Sequence, residues 1–573
     1  MTDEAAEVTT PVASAGSRRT LQARADAAAA GIATWAWMTL LALAVAGGAW
    51  LRATQLPSQI LVDDEWHAVH ALLRFDAHTI VTNFGTADYS IPLTLYDRFI
   101  ALHGGLSEWQ MHVPMLVAAI ALLVVAPWML RDRVTLPVAA AWTALLAMSP
   151  LLVYLSRTAR PYAITCLLAF VAVVAFRRWY RDPAHPARYA VLYAVATFLA
   201  GWLHLVTLAF TLLPFAWYGV KTLRGSDRFA ARRLIALGVA TLVPLAVVLA
   251  PPLWHAAAQL REKAGVDAVT PASVYRTLLM MAGSASPLWL GVALVLAALG
   301  VRRMLARDAD FAGYAIALIA GSAVAIALAR PAWIQHPGVY ARYMLPALPF
   351  ALLFVAEGAL ALLCKLRPAW LAPLAVAAGS GALFVTGPIP GWLYVPNQFV
   401  GHARFQFDYD PAHNPYVLEV PKEPVPAFYR ELSKLPPRSL TLIEAPWRLE
   451  SNFDPFPWYQ QVHRQYVKIG LVTPVCGVRA FGEFPPDETR LRFRWFVHVA
   501  RVLQGETFGA RYLVMHRSAW KTPPDASVEW PDVDACLPRI EARLGAPVYR
   551  DERIVVFDLA ARAGVNRVNA LKH

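Results

Sequence analysis

Apolar residues in this chain come in runs rather than in alternation. A helix rises about 1.5 Å per residue, so about 20 consecutive apolar residues cross the hydrocarbon core of a bilayer. Runs near that length fall at 32–53, 112–130, 134–155, 161–176, 189–220, 234–254, 278–301, 311–329, 343–364 and 368–390. The stretch 189–220 is long for one helix and short for two. Basic segments flank it on both sides, RRWYRD before and KTLRGSDRFAARR after, and short basic loops stay on the cytoplasmic side of a membrane. Two crossings return the chain to the side it left. The run is therefore split near Gly201-Trp202-Leu203-His204, which gives roughly eleven spans and puts His204 at the outer surface.

The pattern changes after residue 390. The C-terminal third is rich in Pro, Trp and charge and holds no run long enough to span. Short β-rich runs, SLTLIEA, YVKIGLV, ARYLVMHR and RIVVFDL, alternate with the helical patterns DETRLRFRWFVHVARVLQ and DVDACLPRIEARLG, which predicts a small α/β domain. FDYDPAHNPYVLEVP and SNFDPFPWYQQ read as ordered Pro-rich loops. The expected fold is a polytopic α-helical membrane protein with a C-terminal soluble α/β domain on the outer side. Residues 1–31 form a cytoplasmic tail, 32–390 the transmembrane domain with a long first outer loop at 54–111, and 391–573 the extracytoplasmic domain. The first thirty residues lack a short apolar core followed by a small-residue cleavage site, so the first helix is expected to stay uncleaved.

Composition agrees with this pattern. With 57% hydrophobic residues, 16% charged residues and a mean hydropathy of +0.43, the chain is too apolar for an ordinary soluble protein. A net charge of +13 and a pI near 9.6 would suggest a nucleic-acid partner in a soluble chain. Here the cations sit in short loops: Arg131 and Arg133; Arg177, Arg178 and Arg181; Lys221 through Arg233; Arg302, Arg303 and Arg307; Lys365 and Arg367. All belong to the inner loops of the eleven-span arrangement, so the basicity is an orientation signal and no nucleic-acid partner is expected. Cys166 and Cys364 lie within or at the end of apolar runs. Cys476 and Cys536 are the two able to pair, with free thiols the expectation.

Charge in or near a membrane is costly unless it is paired or faces a cavity, so charged residues on the outer side are few and informative. They include Asp63, Asp64, Glu65, Asp88, Asp97, Arg98, Arg157, Arg160, Arg330 and Arg342. Asp63 or Asp64 can cap the amphipathic helix implied by EWHAVHALLRF, whose Trp66, Val69, Leu72 and Leu73 would lie in the membrane interface. Capping accounts for one acid better than for three. His67 and His70, at i and i+3, read either as metal ligands with the acids or as interfacial histidines. Guanidinium forks suit phosphate oxygens, which singles out Arg160 and Arg342; Arg157 and Arg330 fit snorkelling to lipid headgroups. GxSxG, HExxH, paired CxxC and a Gly-rich phosphate loop are all absent.

In this order the pieces resemble the GT-C superfamily of polyprenyl-phosphate-sugar-dependent membrane glycosyltransferases, which includes protein O-mannosyltransferases, aminoarabinose transferases and lipopolysaccharide galacturonosyltransferases. The family's acid pair after the first span is matched by Asp64-Glu65 in LVDDEWHAV. DYSIPLTLY matches a second element through Asp88, Tyr89 and Pro92. Ile91 stands where a second proline is usual and no Lys precedes it, which counts against the aminoarabinose branch. Arg160-Pro161-Tyr162 matches a third element, and Arg342, Tyr343 and Pro346 a fourth.

The resemblance implies an inverting transferase that moves a sugar from a polyprenyl-phosphate donor to a hydroxyl of a glycan, glycolipid or protein at the outer face of the inner membrane. Asp64 would be the base, with Glu65 or Asp63 as orienter or substitute. Arg160 and Arg342 would bind the lipid phosphate with support from Tyr162 and Tyr343, and Asp88, Tyr89 and His204 would line the sugar or acceptor side. No cofactor is required; a divalent metal held by the acids is compatible with the pattern but not needed. A transporter or flippase of a lipid-linked substrate, and a non-catalytic membrane scaffold, are the rival readings.

Overall fold

The computed structural model describes residues 15–61, 63–84, 89–182, 186–284, 286–335, 337–390, 424–446, 456–477, 490–517 and 533–560. Of residues 15–30, 63, 186, 337, 457 and 458 it describes the backbone alone. Among the described residues, eight helices are long and apolar enough to cross a membrane, from Gly31–Ser58 to Leu345–Leu363. A bent pair, Leu136–Met148 and Pro150–Ser156, is long and apolar enough only when its two helices are taken together, and Ala187–Leu203 and Leu371–Thr386 are shorter apolar helices. The chain is a multi-pass membrane protein. The ambiguous stretch does divide where expected: the helix Pro186–Leu203 ends, His204 is extended, and Leu205–Gly225 begins. The run expected at 278–301 starts differently. Gly283, at φ +82, closes the helix Pro271–Ala282, and Pro287 opens a new one, Pro287–Arg307.

Two devices pack this bundle. Lipid offers little hydrophobic drive for helix association, so close approach of small residues and internal hydrogen bonds take over. A Cβ on Gly300 would lie 1.8 Å from the Phe354 carbonyl oxygen, and one on Gly358 1.8 Å from that of Leu296. The helices Pro287–Arg307 and Leu348–Leu363 therefore touch backbone to backbone. The second device is the 58° bend before Pro150, which has no N–H to give the Leu146 carbonyl. Arg52 supplies the missing donors: its guanidinium reaches Leu146 O at 3.0 Å, Ala147 O at 3.1 Å and Gly48 O at 2.8 Å. This fully buried cation is thus taken up by backbone carbonyls, one of them freed by the bend.

The basic loops do not stand alone. Arg133 pairs with Asp308 at 2.7 Å, Arg178 with Asp132 at 2.7 Å, Arg181 with Asp310 at 2.6 Å, and Arg307 with the buried Glu357 at 2.6 Å. Lys221 pairs with Asp310 as well.

The C-terminal region is the expected α/β domain. Its sheet runs in the order β3-β2-β1-β4-β6-β5, built from β1 (Thr441–Ala445), β2 (Tyr466–Leu471), β3 (Phe496–His498), β4 (Tyr512–His516), β5 (Tyr549–Arg550) and β6 (Ile554–Asp558). β1 to β4 are parallel, and β6 runs antiparallel to β4 with Val514 opposite Val556. The first helical pattern is corrected here: FVH at its centre is β3, and the helix shrinks to Val499–Leu503. Phe496 and Trp495 pack against the loop core, so burial overrides the helical period. The second pattern is helical over Val533–Leu544. Part of the expected loop SNFDPFPWYQQ is the start of a helix, Phe456–His463. FDYDPAHNPYVLEVP lies outside the described residues.

Cys476 and Cys536 form a disulfide, with Cα atoms 5.0 Å apart, against the expectation of free thiols. Their 60-residue separation hid a contact that the sheet creates by setting the turn after β2 beside the helix Val533–Leu544.

This domain docks onto the 54–111 loop. Leu106 N–H donates to Arg492 O at 2.7 Å, Arg494 N–H to Leu106 O at 2.8 Å, and Arg492 N–H to Ala101 O at 2.9 Å. The turn that permits it passes through Gly105 at φ +82. Gln460 adds a bond from its side-chain amide to Ser58 O at 3.0 Å. Trp66, Val69 and Leu72 are buried in a core they share with Val467, Ile469 and Trp495. The amphipathic helix Trp66–Arg74 therefore packs against protein instead of lying in the membrane interface.

Candidate active site

The acid strip is held by a frame that begins with Arg157. This buried guanidinium donates to Leu51 O at 3.2 Å and Thr54 O at 2.6 Å, and Gln59 donates to Arg157 O at 3.1 Å. Arg157 is a strut for the end of the first span, not a headgroup anchor. Arg330, at φ +45, ends the helix Ala309–Ala329 and donates to Asp267 O at 3.1 Å.

Asp63, Asp64 and Glu65 form a single 3₁₀ turn ahead of the helix Trp66–Arg74. The cap position falls on Glu65, whose side chain makes no capping bond. Capping therefore explains neither Asp64 nor Glu65. Asp64 Oδ2 accepts from Arg342 Nη1 at 2.8 Å. Glu65, fully buried, turns the other way, accepts the Ala159 N–H at 2.5 Å and is hydrogen-bonded to His112 Nε2 at 2.7 Å. Asp63 lies on the same turn, with its side chain outside the described set.

Arg160 ends the SRTAR turn, and Pro161 starts the helix that opens at Tyr162. Arg160 Nη1 lies 3.5 Å from His67 Nδ1. A guanidinium can only donate, so Nδ1 is bare and the His67 proton sits on Nε2, which lies 4.0 Å from Asp64 Oδ1. Burial and the Arg160 charge push the His67 imidazole down to about 3, so it is neutral at ordinary pH.

Arg342 lies 5.5 Å from the Tyr162 ring and 5.4 Å from the Tyr343 ring. His204 stands between those tyrosines, 5.4 Å from Tyr162 and 5.7 Å from Tyr343. Tyr154, on the bent span, lies within electrostatic range of Asp64, Glu65, Arg342 and Tyr162.

Burial alone would raise the Asp64 carboxyl. Arg342, Arg160 and His67, with the Arg342 hydrogen bond, outweigh burial and hold it well below the usual carboxylate range. Two guanidinium charges against one carboxylate leave the cluster a unit positive. Arg342 Nε is buried with no hydrogen-bond partner among the described residues. Such an arrangement has the charge and a free donor to take an anion beside a carboxylate.

Six residues singled out in the sequence, Asp64, Arg160, Tyr162, His204, Arg342 and Tyr343, thus converge on one place, while Glu65 on the same turn as Asp64 points to Ala159 and His112. Tyr89 does not join them: it is buried, and its hydroxyl donates to Ile80 O at 3.1 Å and to Asn83 O, tying up the loop. Asp88 lies outside the described residues. Among the described residues no three His, Cys, Asp or Glu side chains gather to hold a metal. His70 is instead buried and stacked on Trp66 at 6.2 Å. His112 and Tyr154 were not singled out in the sequence, and their apolar surroundings carry no local signal for a site.

No protein-family model matches the chain, and no curated protein matches it in sequence. In architecture the chain is similar to ArnT. ArnT from Cupriavidus metallidurans, in the apo state, aligns over 91% of this chain and 97% of its own at 15% identity and a TM-score of 0.45. ArnT bound to undecaprenyl phosphate aligns over the same shares at 14% identity and a TM-score of 0.44. The archaeal oligosaccharyltransferase AglB from Archaeoglobus fulgidus, in complex with an inhibitory peptide and a dolichol-phosphate, covers 84% of this chain and 69% of its own at 12% identity and a TM-score of 0.40. The arabinofuranosyltransferase AftD from Mycobacteria covers 91% of this chain at 17% identity and a TM-score of 0.42, and this chain spans 40% of AftD.

Proposed function

We propose that the chain is an inverting glycosyltransferase that moves a sugar from a polyprenyl-phosphate donor to an acceptor hydroxyl of a glycan, glycolipid or protein. The observation that carries this reading is the Asp64–Arg342 pair at 2.8 Å, set beside Arg160 and walled by Tyr162, Tyr343 and His204. A sugar phosphodiester already has a good leaving group, so its transfer needs a base for the acceptor proton and positive charge for the departing phosphate. Arg342 and Arg160 supply that charge. When the donor phosphate engages Arg342, Asp64 loses its partner and its basicity rises toward that of an ordinary carboxylate. The acceptor oxygen then attacks the anomeric carbon while its proton passes to Asp64. The bond from that carbon to the phosphate oxygen breaks, and the phosphate leaves on the arginines. A single displacement inverts the anomeric configuration. An apolar cavity of about 390 Å³, whose lining includes Leu278, Met281, Trp289, Leu290 and Leu348, offers room for part of an isoprenoid chain.

In this reading the reaction runs at the outer face of the cytoplasmic membrane, with the N-terminus inside. The Cys476–Cys536 disulfide supports an oxidising compartment for the domain docked on the site loop. The arginine-rich loops support the cytoplasmic assignment of the opposite end.

The test is mass spectrometry of envelope glycans and lipids from cells carrying wild-type protein, no protein, or Asp64→Asn. The reading expects the same sugar-sized mass loss in the last two, with Asp64→Asn inserted and folded in the membrane. If Asp64→Asn keeps the wild-type product mass, the assignment of the base is wrong. A scaffold or flippase has no reason to depend on that one carboxylate.

A further inference from the structure

His112 lies 47 residues from Glu65 in sequence, and both side chains are fully buried. Its Nδ1 is 2.7 Å from the Glu108 carbonyl oxygen, and its Nε2 is 2.7 Å from Glu65 Oε1. A carbonyl can only accept, so Nδ1 carries a proton. The second contact then needs a proton of its own, on Nε2 or on the carboxyl. The two side chains therefore share one proton across the 2.7 Å contact and together carry no net charge. The Glu65 oxygen that meets His112 also accepts the Ala159 N–H at 2.5 Å, and Ala159 is the residue before Arg160.

We infer that His112 and Glu65 form a proton-sharing strut that joins the acid turn, the start of the helix Glu108–Met129 and the SRTAR turn, and so sets Arg160 against Asp64. His112 is then a positioning residue for the lipid-phosphate site, and Glu65 is held as part of the strut instead of serving as a base. This rests on the function proposed above. Titratable groups near the pair include Glu108, one turn before His112, Tyr154 on the bent span, and Asp64 next in the chain.

The chemistry of a buried pair dictates the test. Removing one charged partner leaves the other uncompensated, whereas two neutral hydrogen-bonding partners are tolerated. Full-length protein in detergent is titrated with undecaprenyl phosphate as His112→Gln, as Glu65→Gln/His112→Gln and as wild type, from about pH 5 to 8.

His112→Gln is expected to weaken binding by at least about tenfold near pH 8. The double variant, whose two amides can bond to each other and keep an acceptor for the Ala159 N–H, is expected to recover to within about threefold of wild type at every pH. Wild-type binding by His112→Gln, or a loss that is not recovered by the double variant, overturns the strut. Failure of the wild-type protein to bind undecaprenyl phosphate overturns the proposed donor instead, so the two failures are distinguishable.

Discussion

Asp64 and a donor phosphate compete for the same guanidinium, and this gives Asp64→Asn two opposite effects. Arg342 Nη1 lies 2.8 Å from Asp64 Oδ2. A phosphate oxygen bound at a similar distance on that guanidinium comes within about 5 Å of the carboxylate, where two unit charges repel by about 3 kcal/mol at an effective dielectric of about 20. The Asp64 side chain is 26% exposed, so solvent and salt screen the repulsion. Halving it leaves about 1.5 kcal/mol, or about tenfold in affinity. Asp64→Asn should therefore bind undecaprenyl phosphate about tenfold more tightly than wild type while transferring no sugar.

Titration of purified protein, followed by tryptophan fluorescence or calorimetry, reads the first effect, and product mass reads the second. The pH dependence follows from the depressed Asp64 carboxyl. A carboxyl lowered by folding contributes stability that is present above its unfolded value near 3.9 and is lost as pH falls through the lower folded value. Asp64 thus stays charged from about pH 5 to 8, and the difference between the two proteins should grow across that range as the phosphate takes its second charge near pH 6. Equal or weaker binding by Asp64→Asn would refute the sharing of Arg342, and retained transfer would refute the base.

Four further outcomes follow from the fold. Gly358→Ala places a methyl 1.8 Å from the Leu296 carbonyl oxygen, so the helix pair must separate, and the melting temperature in detergent should drop sharply while a Gly379→Ala control, with open space around it, leaves it unchanged. Arg52→Met removes donors from three carbonyls and should cost about 2–4 kcal/mol, read as reduced thermal stability. Gln460→Ala cuts the side-chain tie to Ser58 O and should raise hydrogen exchange in 54–61 while leaving the sheet protected. Cys476→Ser opens a 60-residue loop and should destabilise the C-terminal domain by about 2–4 kcal/mol, measured by proteolysis of the domain.

Much of the architecture was legible because bilayer crossing imposes a length and a composition that each run displays locally. The break at His204 could be placed because the charges flanking 189–220 demanded an even number of crossings. β1, β2 and β4 were legible because their apolar runs coincide with burial on both faces of a parallel sheet, and β6 because its run is buried although it pairs antiparallel. β3 was not, since its three residues sit inside a helical period and owe their extension to pairing with β2. At the site, Asp64, Arg160 and Arg342 stood out because charge is rare at that depth. The Glu65–His112 contact did not, because nothing local in MHVPMLVAA marks a partner 47 residues away. The disulfide was missed for the same reason: its halves meet only once the sheet is built.

The bend at Pro150 also constrains how the protein is made. Arg52 enters the bilayer within the first span, but two of its acceptors, Leu146 O and Ala147 O, lie 94 and 95 residues downstream. During synthesis the first span therefore carries an incompletely solvated cation until the helix Leu136–Met148 has emerged and bent. The final seat of the first span is therefore completed by a helix made well after it.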